Sequence, residues 1–239
     1  MSIKFFTPDL SDKRIEFAAK SLQDMGYINT DSENKADFVL LGVNPAGTLL
    51  KHDIPCFAGN VSANNIYDYT KNEMFALKNA YLTAEGALSL AIEGSSKSLI
   101  NSRILITGYG RIAKALHKYL APFTNDITVC ARSINAQTLA QMNGAKAVNF
   151  DSLQDKSEYD FIFSTVPHPV FNETELAAIK KDAVIIDLAS FPGGVDVHFA
   201  KHFGLNLIVA RGLPAKYSPE SAGKVVAQTV DTMVREVFV

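Results

Sequence analysis

The chain has 239 residues, 47% of them apolar and 20% charged, with a formal net charge of -2, a composition that suits one large or two small globular domains. So neutral a balance gives no global basic field, and nucleic acid or an anionic membrane would need a local patch that the sequence does not show. No apolar run approaches the ~20 residues that span a bilayer; Ser2-Ile-Lys-Phe-Phe6 meets Asp9, Asp12, Lys13 and Arg14 at once, unlike a signal peptide; and Cys56 and Cys130 read as buried small residues of a cytoplasmic protein rather than a disulfide or metal site.

Strand-like and helix-like segments then alternate, the pattern of parallel α/β sheets. Residues 3–7 predict a strand, and 12–25 a helix with Ile15, Ala18, Ala19, Leu22 and Met25 on one face and Gly26 as its stop. Residues 38–43 and 54–57 follow as short strands. This first part is too small to be a second full dinucleotide fold. A long helix is predicted over 71–93, its apolar side marked by Met74, Leu77, Tyr81, Leu88 and Ile92, with Gly94-Ser-Ser-Lys97 as terminator and linker. Beyond it come strands at 103–107, 127–130, 147–148, 161–165, 184–187 and 207–209, with helices reaching Leu120 and spanning 136–142. A final helix is predicted from Pro219, with Val226, Val230, Met233, Val234 and Val237 at helical spacing. The expected organisation is a smaller α/β lobe over 1–94, a Rossmann domain with a doubly wound parallel sheet over 95–215, and a C-terminal helix over 216–239 that packs back across the domain junction.

The most pointed motif is Gly108-Tyr-Gly-Arg-Ile-Ala113, between the strand at 103–107 and the helix that follows. Gly108 permits the tight turn, Gly110 lets the backbone approach a pyrophosphate, and Ala113 allows close packing of helix on strand. The helix N-terminus presents free N–H groups to the phosphates. Tyr109, Arg111 and Ile112 complete this candidate cofactor loop, with Arg111 a candidate pyrophosphate contact. About 20 residues past the glycines, an acidic residue normally binds the ribose of NAD. Here the strand ends in Cys130-Ala-Arg-Ser133, and Arg132 with Ser133 suits a 2′-phosphate, because guanidinium forks onto phosphate oxygens. NADP is the predicted cofactor, ahead of NAD.

Ligands of parallel sheets gather beyond the carboxyl ends of the strands. Three further turns lie there: Thr165-Val-Pro-His-Pro169, Asp187-Leu-Ala-Ser-Phe-Pro-Gly-Gly-Val195 and Arg211-Gly-Leu-Pro-Ala-Lys216. Thr165, Val166 and Pro167 are expected beside the nicotinamide ribose, and Asp187, Leu188 and Ala189 are also assigned to the cofactor. Ser190, with Gly193 and Gly194 as points of close approach, is assigned to substrate.

Thr83-Ala-Glu-Gly-Ala87, Gly108-Tyr-Gly-Arg-Ile112, Val129-Cys-Ala-Arg-Ser133, Ile186-Asp-Leu-Ala-Ser190, Pro192-Gly-Gly194, Gly212-Leu-Pro214, Ser218-Pro219 and Ser221-Ala-Gly223 together resemble the A subunit family of dipicolinate synthase, NAD(P)-dependent oxidoreductases of spore-forming bacteria. The resemblance covers roughly residues 70 to 230. It implies a fold similar to the 2-hydroxyacid dehydrogenases, a Rossmann domain with a smaller flavodoxin-like lobe. It also implies oxidation of a dihydrodipicolinate-type intermediate to pyridine-2,6-dicarboxylate, a flavodoxin-like B subunit as partner, and a homodimer. Two places depart from the family: Thr7-Pro-Asp9 stands where a Gly-Gly-Asp segment is usual in a longer first lobe, and Ser164-Thr-Val-Pro167 replaces an Asn-Thr-(Ile/Val)-Pro turn.

Aromatisation of that kind needs a hydride acceptor, a base and cations for two carboxylates. His168 is the candidate base, with Glu85 to orient it or to hold an amine or water, and Thr83 nearby. Lys216 and Arg211 are candidates to neutralise the carboxylates, flanking Gly212, Leu213 and Pro214. Two other readings stand beside this one: a 2-hydroxyacid or shikimate-type dehydrogenase, and a non-catalytic NADP-binding sensor or scaffold subunit.

Overall fold

The computed structural model describes residues 2–47, 53–153 and 156–238, which form two compact units, one of residues 1–82 with 214–239 and the other of residues 83–213. The division falls within the long helix rather than at its end near 94, and the C-terminal helix belongs to the first unit. Among the described residues no helix is long and apolar enough to cross a membrane.

The first unit carries a five-stranded parallel sheet in the order β2-β1-β3-β4-β5. Its strands are β1 (Lys4–Phe6), β2 (Ile28–Asn29), β3 (Phe38–Val43), β4 (Cys56–Gly59) and β5 (Ile66–Asp68). Strands β2 and β5 leave no mark in the sequence: β2 is two residues long, and β5 follows a polar stretch with no alternation. Helix α1 (Lys13–Asp24) starts at Asp12, whose carboxylate accepts the Arg14 N–H at 3.0 Å and also the Arg14 guanidinium. Gly26, at φ +97°, ends the turn that follows.

Ile15, Ala18, Ala19 and Leu22 are buried as expected, but Met25 is 42% exposed, because the helix already ends at Asp24. These buried side chains join Phe5, Phe38, Phe57 and Tyr69 in one core. Helix α8 (Pro219–Phe238) closes that core with Val226, Val230 and Val234. It lies against α1, where a Cβ on Gly223 would stand 2.6 Å from the Arg14 carbonyl oxygen, and the Tyr27 hydroxyl donates to Asp231 at 2.8 Å.

Helix α2 (Glu73–Glu93) begins under an Asn72 cap. Its buried residues include Phe75, Ala80, Ala84, Ala87, Leu90 and Ala91, whereas Leu77 and Ile92 are exposed. Large side chains stand on both its inner and its outer face, and so do not mark the inner one. Small ones do, since they let a helix sit close to its neighbours.

The second unit is a six-stranded parallel sheet in the order β11-β10-β9-β6-β7-β8. It comprises β6 (Ile104–Thr107), β7 (Ile127–Cys130), β8 (Lys146–Val148), β9 (Phe161–Ser164), β10 (Val184–Asp187) and β11 (Asn206–Val209). The four central strands are buried throughout, as strands covered on both faces must be. The covering helices are α3 (Arg111–Leu120), α4 (Ile134–Met142), α5 (Glu173–Ala177) and α6 (Val197–His202). Helices α5, α6 and the short α7 (Leu213–Tyr217) escape a reading of periodicity, because each is only five or six residues long. Cys56 and Cys130 are both buried, and burial pushes each thiol up to about 12.

Candidate functional site

The strand order of the second unit reverses between β6 and β9, and crevices for ligands open at such a reversal. The two loops leaving that point are Gly108–Gly110 and Thr165–Pro169. Gly108 sits at φ +79°, and a Cβ there would come within 3.0 Å of Thr165 Oγ1 and Val166, so glycine serves both the turn and the contact. Thr165 in turn donates its hydroxyl to the Thr107 carbonyl at 2.7 Å, which locks the two strand ends together.

Gly110 is different. Nothing lies within 4 Å of where its Cβ would be, so the backbone faces open space, and as N-cap of α3 it supplies no capping side chain. The start of α3 thus meets open space at Gly110, the setting in which a helix N-terminus receives an anion.

In front of these loops is a cavity of about 490 Å³ lined by Gly108, Tyr109, Gly110, Arg132, Ser133, Val166 and His168, with Ala131, Ala136, Phe150 and Val170. Seven predicted site residues thus meet in one place. Phe150 and Val170 were missed. Both follow strand ends, β8 and β9, and that position was the available signal. Together with Ala131, Ala136 and Val166 they form an apolar slot suited to a flat ring.

Arg132 and Ser133 are exposed at the start of α4, where Ser133 is the N-cap yet makes no side-chain capping bond. Its hydroxyl is therefore not used to cap its own helix. His168 is exposed, and Arg111 is exposed at the first position of α3. The residue set fits a dinucleotide: open backbone before Gly110, an apolar slot, and an arginine beside a spare hydroxyl.

The loop after β10 does something other than expected. Asp187 is 1% exposed, and its carboxylate accepts from the Gly194 N–H at 3.2 Å, the Ala189 N–H at 3.3 Å and Arg211 Nη2 at 3.1 Å. Its carbonyl accepts from Arg211 Nη1 at 2.5 Å. Asp187 therefore holds the loop and Arg211 in place, while Leu188 and Ala189 beside it are buried.

Gly193 and Gly194 likewise make room for the protein itself. A Cβ on Gly193 would stand 2.6 Å from Asp187 Oδ2, and one on Gly194 would stand 2.0 Å from Ser164 Oγ. The Ser164 hydroxyl is buried without a hydrogen-bond partner among the described residues.

Of the remaining candidates, Ser190, Arg211 and Gly212 are exposed, Thr83 and Leu213 are buried, and Glu85 is exposed on α2. None of these lines the cavity. Pro214 and Lys216 belong to the first unit, and Lys216 places its ammonium 5.1 Å from the Tyr217 ring centroid. Ile112 and Pro167 flank the lining residues in sequence.

Residues 76–190 match the family of the D-isomer specific 2-hydroxyacid dehydrogenase NAD binding domain. The A subunit of dipicolinate synthase from Bacillus subtilis is 30% identical over 165 residues, 68% of this chain and 55% of that protein. A shikimate dehydrogenase (NADP(+)) of Methanococcus maripaludis is 30% identical over 175 residues, 67% of this chain and 61% of that protein. The chain thus spans less than two thirds of the curated relatives it matches. In three dimensions, the crystal structure of the dipicolinate synthase polypeptide from Bacillus subtilis aligns with a TM-score of 0.84 at 20% identity, covering 99% of this chain and 97% of that one. It shares the fold.

Proposed function

Because the chain is a relative of the dipicolinate synthase A subunit and carries the NAD-binding domain of the 2-hydroxyacid dehydrogenases, we propose that it is an NADP-dependent oxidoreductase. Its reaction is the oxidation of a dihydrodipicolinate-type ring to pyridine-2,6-dicarboxylate. The observation that carries this reading is the cavity at the β6/β9 reversal, which gathers Gly108, Gly110, Arg132, Ser133, Val166 and His168.

When bound, the nicotinamide supplies the hydride acceptor. The protein supplies the rest. Gly110 and the first turn of α3 hold the pyrophosphate, and Arg132 with Ser133 hold the 2′-phosphate. Val166 and Pro167 bound the nicotinamide side, and His168 takes the ring proton. Arg211, fixed by Asp187, neutralises a substrate carboxylate, with Glu85, Thr83 and Ser190 as polar contacts. A flavodoxin-like B subunit and a second copy of the chain are the partners this reading carries with it.

The test is a coupled assay with aspartate semialdehyde, dihydrodipicolinate synthase and NADP, read by the ultraviolet absorbance of dipicolinate. Formation of that chromophore is the expected result. Its absence, with and without a B subunit, refutes the substrate assignment. The likeness to an NADP(+)-dependent shikimate dehydrogenase favours a second reading, which NADPH oxidation on adding dehydroshikimate would identify. If nucleotide binds and neither assay responds, the third reading, a sensor or scaffold subunit, takes their place.

A further inference from the structure

Tyr109 stands between the two glycines of the cofactor loop, a position the motif itself leaves open. Here Tyr109 borders two spaces. One is the cofactor cavity of about 490 Å³, and the other a second cavity of about 440 Å³ lined by Lys114, His117, Lys118, Ala121 and Asn143. A side chain that borders two spaces depends on its remaining contacts to fix its rotamer. Polar tethers fix this one.

The Tyr109 hydroxyl lies 2.8 Å from His117 Nδ1, two turns into α3, and accepts from Asn143 Nδ2 at a longer 3.4 Å. Lys114 Nζ is 6.0 Å from the ring centroid. Tyr109 is 7% exposed and His117 4% exposed, so water competes little for the short bond. Burial holds the imidazole below its usual range and raises the phenol, so the short contact joins two neutral groups.

We propose that His117 is a positioning residue for cofactor binding, which holds Tyr109 back from the dinucleotide cavity and so keeps the Gly108–Gly110 loop open to a pyrophosphate. The proposal rests on the reading of that loop as the cofactor site. It adds that a residue lining no part of the cofactor cavity controls access to it, because the short tether on Tyr109 comes from His117. Without the tether the ring populates positions over the pyrophosphate loop, and the apparent affinity falls by the fraction of molecules so blocked.

The experiment compares wild type, Tyr109→Phe, His117→Leu, the double variant and His117→Asn, whose amide can stand near the position of Nδ1. For each, the NADPH dissociation constant is measured by fluorescence titration and the melting temperature is recorded alongside. Loss of one neutral hydrogen bond corresponds to about a fivefold rise in the dissociation constant. The double variant is expected to be no worse than either single one, and His117→Asn to recover most of the loss. A lower melting temperature with unchanged affinity in Tyr109→Phe and His117→Leu would reduce the pair to a structural bond and overturn the proposal, as would additive losses. If His117→Leu does not fold, Tyr109→Phe, which removes a single oxygen atom, decides the matter. Should wild type bind neither NADPH nor NADH, the cofactor reading itself fails, which is a different result from wild-type binding that the variants leave untouched.

Discussion

The choice of dinucleotide turns on Arg132, and its reversal to aspartate gives the sharpest test. Arg132 and Ser133 line the cavity where β7 gives way to α4, and Ser133 spends no hydrogen bond on capping that helix. A 2′-phosphate there would meet a guanidinium, a hydroxyl and the N-terminus of α4 together. A hydrogen bond to a charged group contributes about 1.5–3 kcal/mol, and the exposure of Arg132 argues for the lower end, about a tenfold change. Arg132→Asp also places a carboxylate opposite the phosphate, so the loss of NADPH affinity should approach about a hundredfold, since each 1.4 kcal/mol is a factor of ten. NADH has no phosphate to lose, and the new carboxylate can accept from its ribose hydroxyls, as the acidic residue of NAD enzymes does. Titrating both nucleotides against both proteins by fluorescence, at low and at moderate salt, would show the preference inverted. The wild-type advantage for NADPH should also shrink as salt rises. Equal losses of NADPH and NADH would refute the assignment of Arg132 to the 2′-phosphate.

Five further substitutions test binding and stability. Gly110→Ala meets no protein atom within 4 Å, so calorimetry should find the melting temperature nearly unchanged while nucleotide affinity drops about tenfold or more. Gly108→Ala, at φ +79° with Thr165 Oγ1 3.0 Å away, should lose roughly 1–3 kcal/mol of stability as well. Ser164→Ala removes a buried hydroxyl that has no partner among the described residues and should raise stability by about 1 kcal/mol in a denaturant titration; Gly194→Ala, whose methyl would overlap Ser164 Oγ, should lower it by roughly 3 kcal/mol. For Asp160, burial favours the neutral form, but Lys180, Lys97 and the Arg103 N–H outweigh it and bring the carboxyl down to about 2 from 3.8. A depressed carboxyl adds stability above pH 3.8 that is lost as pH falls through about 2. Melting curves should show Asp160→Asn to be less stable than wild type at pH 7 and flatter between pH 4 and 2.

The parts of the site that were legible in the sequence are the parts made locally. Gly108, Gly110, Arg132 and Ser133 each follow a short apolar strand, so strand, turn and helix could be read from adjacent residues. Phe150 and Val170 also follow strands, but it takes the parallel register of β6 with β7 and β9 and of β7 with β8 to bring them to the same cavity. The partners of Asp187 were hidden for a related reason. Its place after a strand suggested a ligand, and nothing in the sequence showed that Arg211, 24 residues later, would claim its carboxylate. The extent of the first unit was hidden by composition: α2 runs through both units, and its alanine stripe gives no mark where one core ends and the next begins.

The two sheets also differ at their carboxyl edges in a way that follows from their strand orders. In the second unit the reversal lies between β6 and β9, and the glycine loop and the Thr165–Pro169 loop leave from those strands. In the first unit the reversal lies between β1 and β3, so its own carboxyl edge is built from Thr7-Pro8-Asp9 and from Asn44. That edge carries no glycine-rich turn among the described residues. Asn44 and Asn60 instead take the left-handed conformation, at φ 54° and 59°, and are joined through their side-chain amides, while Asp68 accepts from the Asn60 N–H at 2.9 Å. Its fixed amides and short polar side chains suit small polar groups and make no cradle for a pyrophosphate. Substitutions at Asn44 and Asn60 should therefore leave the dissociation constant of NADPH where it was, and a fluorescence titration that found it raised severalfold would refute the assignment of the pyrophosphate to the Gly108–Gly110 loop alone.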